Sequence, residues 1–76
     1  MQIDLYLVER LLTRDGKVVM TVLVESTTNK TEARRVLAAD VEHMLLPSKQ
    51  AALQRVGAGV RHRMTATPIH LRHGYS

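Results

Sequence analysis

The pair Asp15-Gly16, set between two aliphatic stretches, constrains this chain more than any other feature. Glycine adopts positive φ without steric cost, and aspartate is among the residues that manage it best. The pair therefore favours the type I′ turn of a two-residue β-hairpin. Residues 3–13 and 17–25 are the predicted strands, and the run from Val18 to Val24 is β-branched and apolar, as a well-covered strand would be. A two-residue loop places Leu7 opposite Val24, Leu11 opposite Met20 and Glu9 opposite Val22. The expected core face is then Leu5, Leu7, Leu11, Met20, Val22 and Val24, with Glu9 out of place on it. A bulge near Glu9, or a longer turn, would move that carboxylate to the other face.

The periodicity changes after the hairpin. Asn29 is a good N-cap, and Glu32 three residues later completes a capping-box-like signal. Ala33, Val36, Leu37, Val41, Met44 and Leu45 recur at helical spacing as one apolar stripe, while Thr31, Arg34, Arg35, Ala38, Glu42 and His43 fall outside it. Pro47 ends this helix by disfavouring helical geometry in the residue before it. Ser48 is the expected cap of a short second helix through about Val56, burying Ala52, Leu53 and Val56. Gly57-Ala58-Gly59 stops that helix and lets the chain turn.

From Val60 to Thr67 the period returns to two. Val60, His62, Met64 and Ala66 share one face, and Arg61, Arg63, Thr65 and Thr67 share the other. Pro68 makes this an edge strand or ends it, and Ile69 and Leu71 alternate with His70 and Arg72 as a short continuation would. The predicted fold is a single two-layer α+β domain of order β-β-α-α-β, with the helix laid across the hairpin.

A chain of 76 residues has room for one domain, and a domain of that size buries only roughly 60% of the surface its unfolded chain exposes. Cysteine, phenylalanine and tryptophan are all absent, so neither a disulfide nor a thiolate metal site is available. The core must come from Leu, Val, Ile, Met and Ala. Association with a second copy or a partner is one physical way to bury more surface, so a homodimer is an expectation. No apolar run approaches the ~20 residues of a membrane span, and Met1-Gln2-Ile3-Asp4 lacks the order of a signal peptide. The expected setting is soluble and cytoplasmic, away from membranes.

Charge is distributed unevenly. Through Leu45 there are six basic and seven acidic residues, a net of −1; from Leu46 onward there are five basic residues and no acidic one. Arg61 and Arg63 share a face of the last strand, and Arg72, Arg55 and Lys49 could extend the patch. A guanidinium fork pairs with phosphate or carboxylate in a bidentate way. The competing reading is an edge strand guarded by charge against aggregation.

Other constellations point less well to chemistry. His70 and His73 have a ligand-like gap, but three residues apart on a strand they face opposite ways. With no cysteine or carboxylate nearby, no metal site and no cofactor is expected. Asp40 and His43 can meet on a helix surface, which is ordinary surface chemistry, and no activated nucleophile is evident. Gly57-Ala58-Gly59 follows a helix and lacks the Lys-Ser/Thr of a phosphate loop. The chain therefore reads as non-enzymatic.

The segment Val22 to Leu37 runs strand, polar turn and a Thr-Glu-Ala-Arg-Arg helix. In this it resembles small phage-encoded proteins built as hairpin, helix and returning strand, among them anti-CRISPR proteins and inhibitors of host RNA polymerase. The likeness, one of layout and size, covers residues 3–45 and, more loosely, 60–72. The second helix is extra to the simplest version of that pattern. The resemblance implies stoichiometric occlusion of a site on a host protein or ribonucleoprotein complex with an acidic surface. The residues expected to make contact are Arg61, Arg63 and Arg72, with Arg34 and Arg35 as a second set. The alternative is a nucleic-acid binder working through phosphate contacts, although Tyr6 and Tyr75 are the only aromatics on which bases could stack.

Overall fold

The structure is a computed structural model, and it describes residues 2–70. It is an α+β arrangement of a three-stranded antiparallel sheet and two helices, in the chain order expected: β1 (Gln2–Arg14), β2 (Lys17–Thr27), α1 (Lys30–Met44), α2 (Pro47–Arg55) and β3 (Ala58–His70). The strands lie in the order β2-β1-β3, so the first strand is central and both others are edges. Asp15 and Gly16 both have positive φ, 53° and 78°, as a type I′ turn requires.

A bulge does lie near Glu9, but on the opposing strand. Val8 pairs with Glu25 and Glu9 with Leu23, which leaves Val24 as the extra residue, and a second bulge leaves out Val19 between Leu12↔Met20 and Thr13↔Val18. β1 itself is unbroken, running from Gln2↔His70 to Arg14↔Ala58 against β3. Its side chains therefore alternate strictly, and Glu9 stays on the face of Leu5, Leu7 and Leu11.

That face is not the one the helix covers. Arg10 and His62 both reach Asp40 on α1, which places α1 over Tyr6, Val8, Arg10 and Leu12. Val60, His62 and Met64 of β3 lie beside them, as do Met20 and Val22 of β2. The expected core face is thus corrected in part: Leu5 and Leu7 line the opposite side, which no helix covers, and are half-buried, whereas Leu11 shares that side but is only 9% exposed. Met20 and Val22 of the expected face do lie on the helix-covered side, because the bulge at Val19 shifts β2 by one residue against β1.

Local signals hold at the start of α1. The Asn29 side-chain oxygen accepts the Glu32 backbone N–H at 3.0 Å, and the Asn29 N–H donates to Thr27 Oγ1 at 3.0 Å. The Glu32 carboxylate pairs with Arg35 instead of closing the box. Of the expected stripe, Ala33 and Met44 are buried and Val36, Leu37 and Val41 half-buried, whereas Leu45 lies just past the helix end and is 63% exposed. Asp40 occupies a buried place within the stripe.

Pro47 separates the helices as expected, but it is also the first residue of α2, where its missing N–H leaves no bond unmade. Ser48 therefore lies inside the helix and does not cap it. Gln50 ties the two helices together by donating from Nε2 to the Met44 carbonyl at 2.7 Å. On α2 only Leu53 is half-buried, while Ala52 and Val56 are exposed, so the expected buried side reduces to one residue. Gly57, at φ 69°, turns the chain into β3. Pro68 sits within β3 opposite Asp4, tolerated because the strand is an edge.

The core is small. Val8 and Ala33 are fully buried, Leu11 and Met44 nearly so. The radius of gyration is 15.7 Å, against about 11 Å for a compact chain of this length. Long strands under a single layer of helix account for the difference.

Candidate functional site

Three charged or titratable side chains from three different elements meet under α1. Arg10, on the central strand, donates from Nε to Asp40 Oδ2 at 3.0 Å and from Nη2 to Oδ1 at 2.5 Å, a two-point grip on the carboxylate. His62, next to Arg10 across the β1–β3 ladder, lies with Nε2 2.6 Å from the same Oδ2. An ionised carboxylate only accepts, so His62 Nε2 carries the hydrogen and donates it.

Asp40 is 8% exposed and His62 10%. The Arg10 hydrogen bonds hold the Asp40 carboxyl down at about 2, against its ordinary 3.8; burial opposes this and the His62 hydrogen bond adds to it. The result is a fixed negative charge at neutral pH, pinned from both strands. Among the described residues no buried side-chain nitrogen or oxygen lacks a partner, and no group of three His, Cys, Asp or Glu side chains is placed to hold a metal ion. Beside the cluster is an open cleft of about 240 Å³, lined by Val41, Met44, Leu45, Gln50, Val60 and His62.

The cluster joins α1 to the two strands beneath it, and residue-by-residue reading missed it. Helical spacing sets Asp40 beside His43 on the helix surface, whereas its partners are 30 and 22 residues away in sequence. One signal was available. Asp40 continues the stripe of Ala33, Val36 and Leu37 at helical spacing, and an acid in an apolar stripe needs a cationic partner from the layer below.

The arginines singled out from the sequence do not form one patch. Arg61 and Arg63 stand together on the bare face of the sheet, beside Leu11 and Glu9 respectively. Arg63 is engaged there: its Nε donates to Glu9 Oε1 at 3.0 Å, with Nη2 at 2.9 Å. Glu9 thus has a partner on the face where it had looked misplaced. Arg34 and Arg35 are exposed on α1, on the opposite side of the sheet, and Arg35 is paired with Glu32. Lys49 and Arg55 are on α2, also on the helical side. Arg72 and His73 lie outside the described residues.

Among the described residues no helix is long and apolar enough to cross a membrane. Comparison with protein-family models, with curated proteins and with solved structures gave no match.

Proposed function

We propose that this chain is a small non-enzymatic binding protein that docks through the bare face of its sheet. In this reading it is a phage-type inhibitor occluding a site on a host protein or ribonucleoprotein complex. The observation that carries the reading is the make-up of that face. Ile3, Leu5 and Leu7 form a half-buried aliphatic spine along β1, and Arg61 and Arg63 stand farther along the same face on β3, opposite the buried Leu11 and opposite Glu9 respectively. Such a surface offers apolar burial at its centre and guanidinium forks at its margin, the combination from which protein interfaces draw most of their energy. The Arg10 guanidinium under α1 is held by the buried Asp40, whereas Arg61 and the half-exposed Arg63, which meets Glu9, stand at the surface where a partner can reach them.

The separation of the two arginine pairs provides the test. A tagged protein is used to pull down partners from a bacterial lysate, with and without nuclease, as wild type, R61A/R63A and R34A/R35A. The expected result is a discrete protein complex that survives nuclease, is lost with R61A/R63A and is retained with R34A/R35A. Loss of all bound material after nuclease would favour the nucleic-acid alternative, as would an affinity falling steeply with salt, nearly independent of sequence. Unchanged capture by R61A/R63A would remove those residues from the interface.

A further inference from the structure

The two edges of the sheet are built differently. β3 carries Arg61, Arg63 and Pro68, the features that normally guard an edge against pairing. The run Val18-Val19-Met20-Thr21-Val22-Leu23-Val24 on β2 has neither a charge nor a proline, and Val18, Val19, Met20 and Leu23 are each about half exposed or more. An open edge of this kind presents unpaired backbone donors and acceptors along its length.

We propose that β2 pairs antiparallel with β2 of a second copy of this chain, about a two-fold axis through Thr21, making one continuous six-stranded sheet. The charges at the ends of the run select both the partner and the register. With the axis at Thr21, Met20 lies opposite the second copy's Val22, Val19 opposite its Leu23, and Lys17 opposite its Glu25. By symmetry the last pair occurs twice. Moving the axis one residue, to Met20 or Val22, leaves Lys17 opposite Leu23 or Thr27 and loses both ion pairs.

The faces agree with this register. Lys17, Met20, Val22 and Glu25 align with Arg14, Leu12, Arg10 and Val8, all on the helix-covered side, and Thr21 aligns with Leu11 on the bare side. The Thr21–Thr21 and Met20–Val22 pairs at the centre, and the Lys17–Glu25 pair at the ends, therefore each meet on one face, as directly opposed residues must. The bulges at Val19 and Val24 flank the regular stretch from Met20 to Leu23 and do not interrupt it. An axis perpendicular to the sheet puts both copies' helices on the same side and joins their bare faces into one surface. The pairing does not depend on what that surface binds.

The absence of cysteine makes a direct test possible. Directly opposed residues have Cα atoms about 4.5–5.5 Å apart, inside the range a disulfide spans. T21C should form a disulfide-linked dimer under mild oxidation. M20C and V22C should each cross-link poorly alone and readily when mixed. Sedimentation of the cysteine-free protein should show a mass approaching twice 8.6 kDa as concentration rises through the micromolar range.

Reversing the charges tests the register. K17E and E25K should each be monomeric, their 1:1 mixture should form heterodimers, and K17E/E25K should dimerise again by itself. Circular dichroism confirms that each variant is folded, which matters most for E25K because Glu25 lies within the field of Arg35. A single-chain mass at high concentration, or T21C cross-linking no faster than a cysteine on the α1 surface, would overturn the proposal. So would a dimer indifferent to K17E.

Discussion

On the covered face of the sheet Asp40 receives Arg10 and His62 in a site it barely shares with water; on the bare face Glu9 receives Arg63 at the surface. Both are arginine–carboxylate contacts anchored on β1, and their consequences differ because their surroundings do. Under α1 the carboxylate has lost its hydration, so removing a partner leaves a charge that water cannot rescue. On the bare face Arg63 is about half exposed, so water competes for its guanidinium, although Glu9 itself is only 17% exposed. Position relative to the helix, more than residue type, decides which pair holds the fold together.

The largest effect expected from this contrast is at the two acids. Asp40→Asn should destabilise the protein by about 3 kcal/mol, at the low end for a broken buried pair because Arg10 is partly exposed. Glu9→Gln should cost about 1 kcal/mol, at the upper end for a surface pair because Glu9 itself is only 17% exposed. Urea denaturation of both variants checks the ratio, and equal losses would mean that α1 does not shield Asp40.

Acid should act on the same site. The Asp40 pKa is lower folded than unfolded, so its contribution is fully present above about pH 4 and is lost as pH falls through about 2. Its size is on the order of 2 kcal/mol. A pH series of thermal melts on wild type and Asp40→Asn should show the two curves converging towards pH 2.

A smaller contrast lies between neighbours on β1. Val8→Ala, at a fully buried position, should cost about 2 kcal/mol from lost transfer energy and the cavity left behind. Leu7→Ala removes more atoms but lies half-buried on the bare face, and should cost about 1 kcal/mol. A larger loss at Leu7 would indicate that the bare face is covered in solution, as a bound partner would cover it.

The helix caps extend the scale downward. Asn29→Ala should cost about 1 kcal/mol, because the Glu32 N–H would lose its acceptor. Ser48→Ala should be nearly neutral, since α2 begins at Pro47 and no side chain caps it.

Features that depend on a few consecutive residues were legible in the sequence. The hairpin turn at Asp15-Gly16, the cap at Asn29, the break at Pro47, the turn at Gly57 and the alternation of β3 each follow from the steric or hydrogen-bonding needs of residues close in the chain. Less was legible at the site. The charge asymmetry led to Arg61 and Arg63, and the structure sets those two side by side, but it assigns Arg34 and Arg35 to the other side of the sheet. The cluster at Asp40 joins residues far apart in sequence, and Asp40 beside His43 on one helix was the nearer pairing to find.

By itself the sequence determined the elements, their order and the α+β class, because turn, cap and periodicity are local properties of the chain. Only the tertiary structure decided which face of the sheet became the core. In the hairpin the side of Leu5, Leu7 and Leu11 was the more apolar and the natural choice. Once β3 joins β1, however, His62 falls beside Arg10, and α1 sets Asp40 over that side, where both side chains donate hydrogen bonds to it. The buried carboxylate finds its donors on that side, and Leu5 and Leu7 stay half-buried on the other.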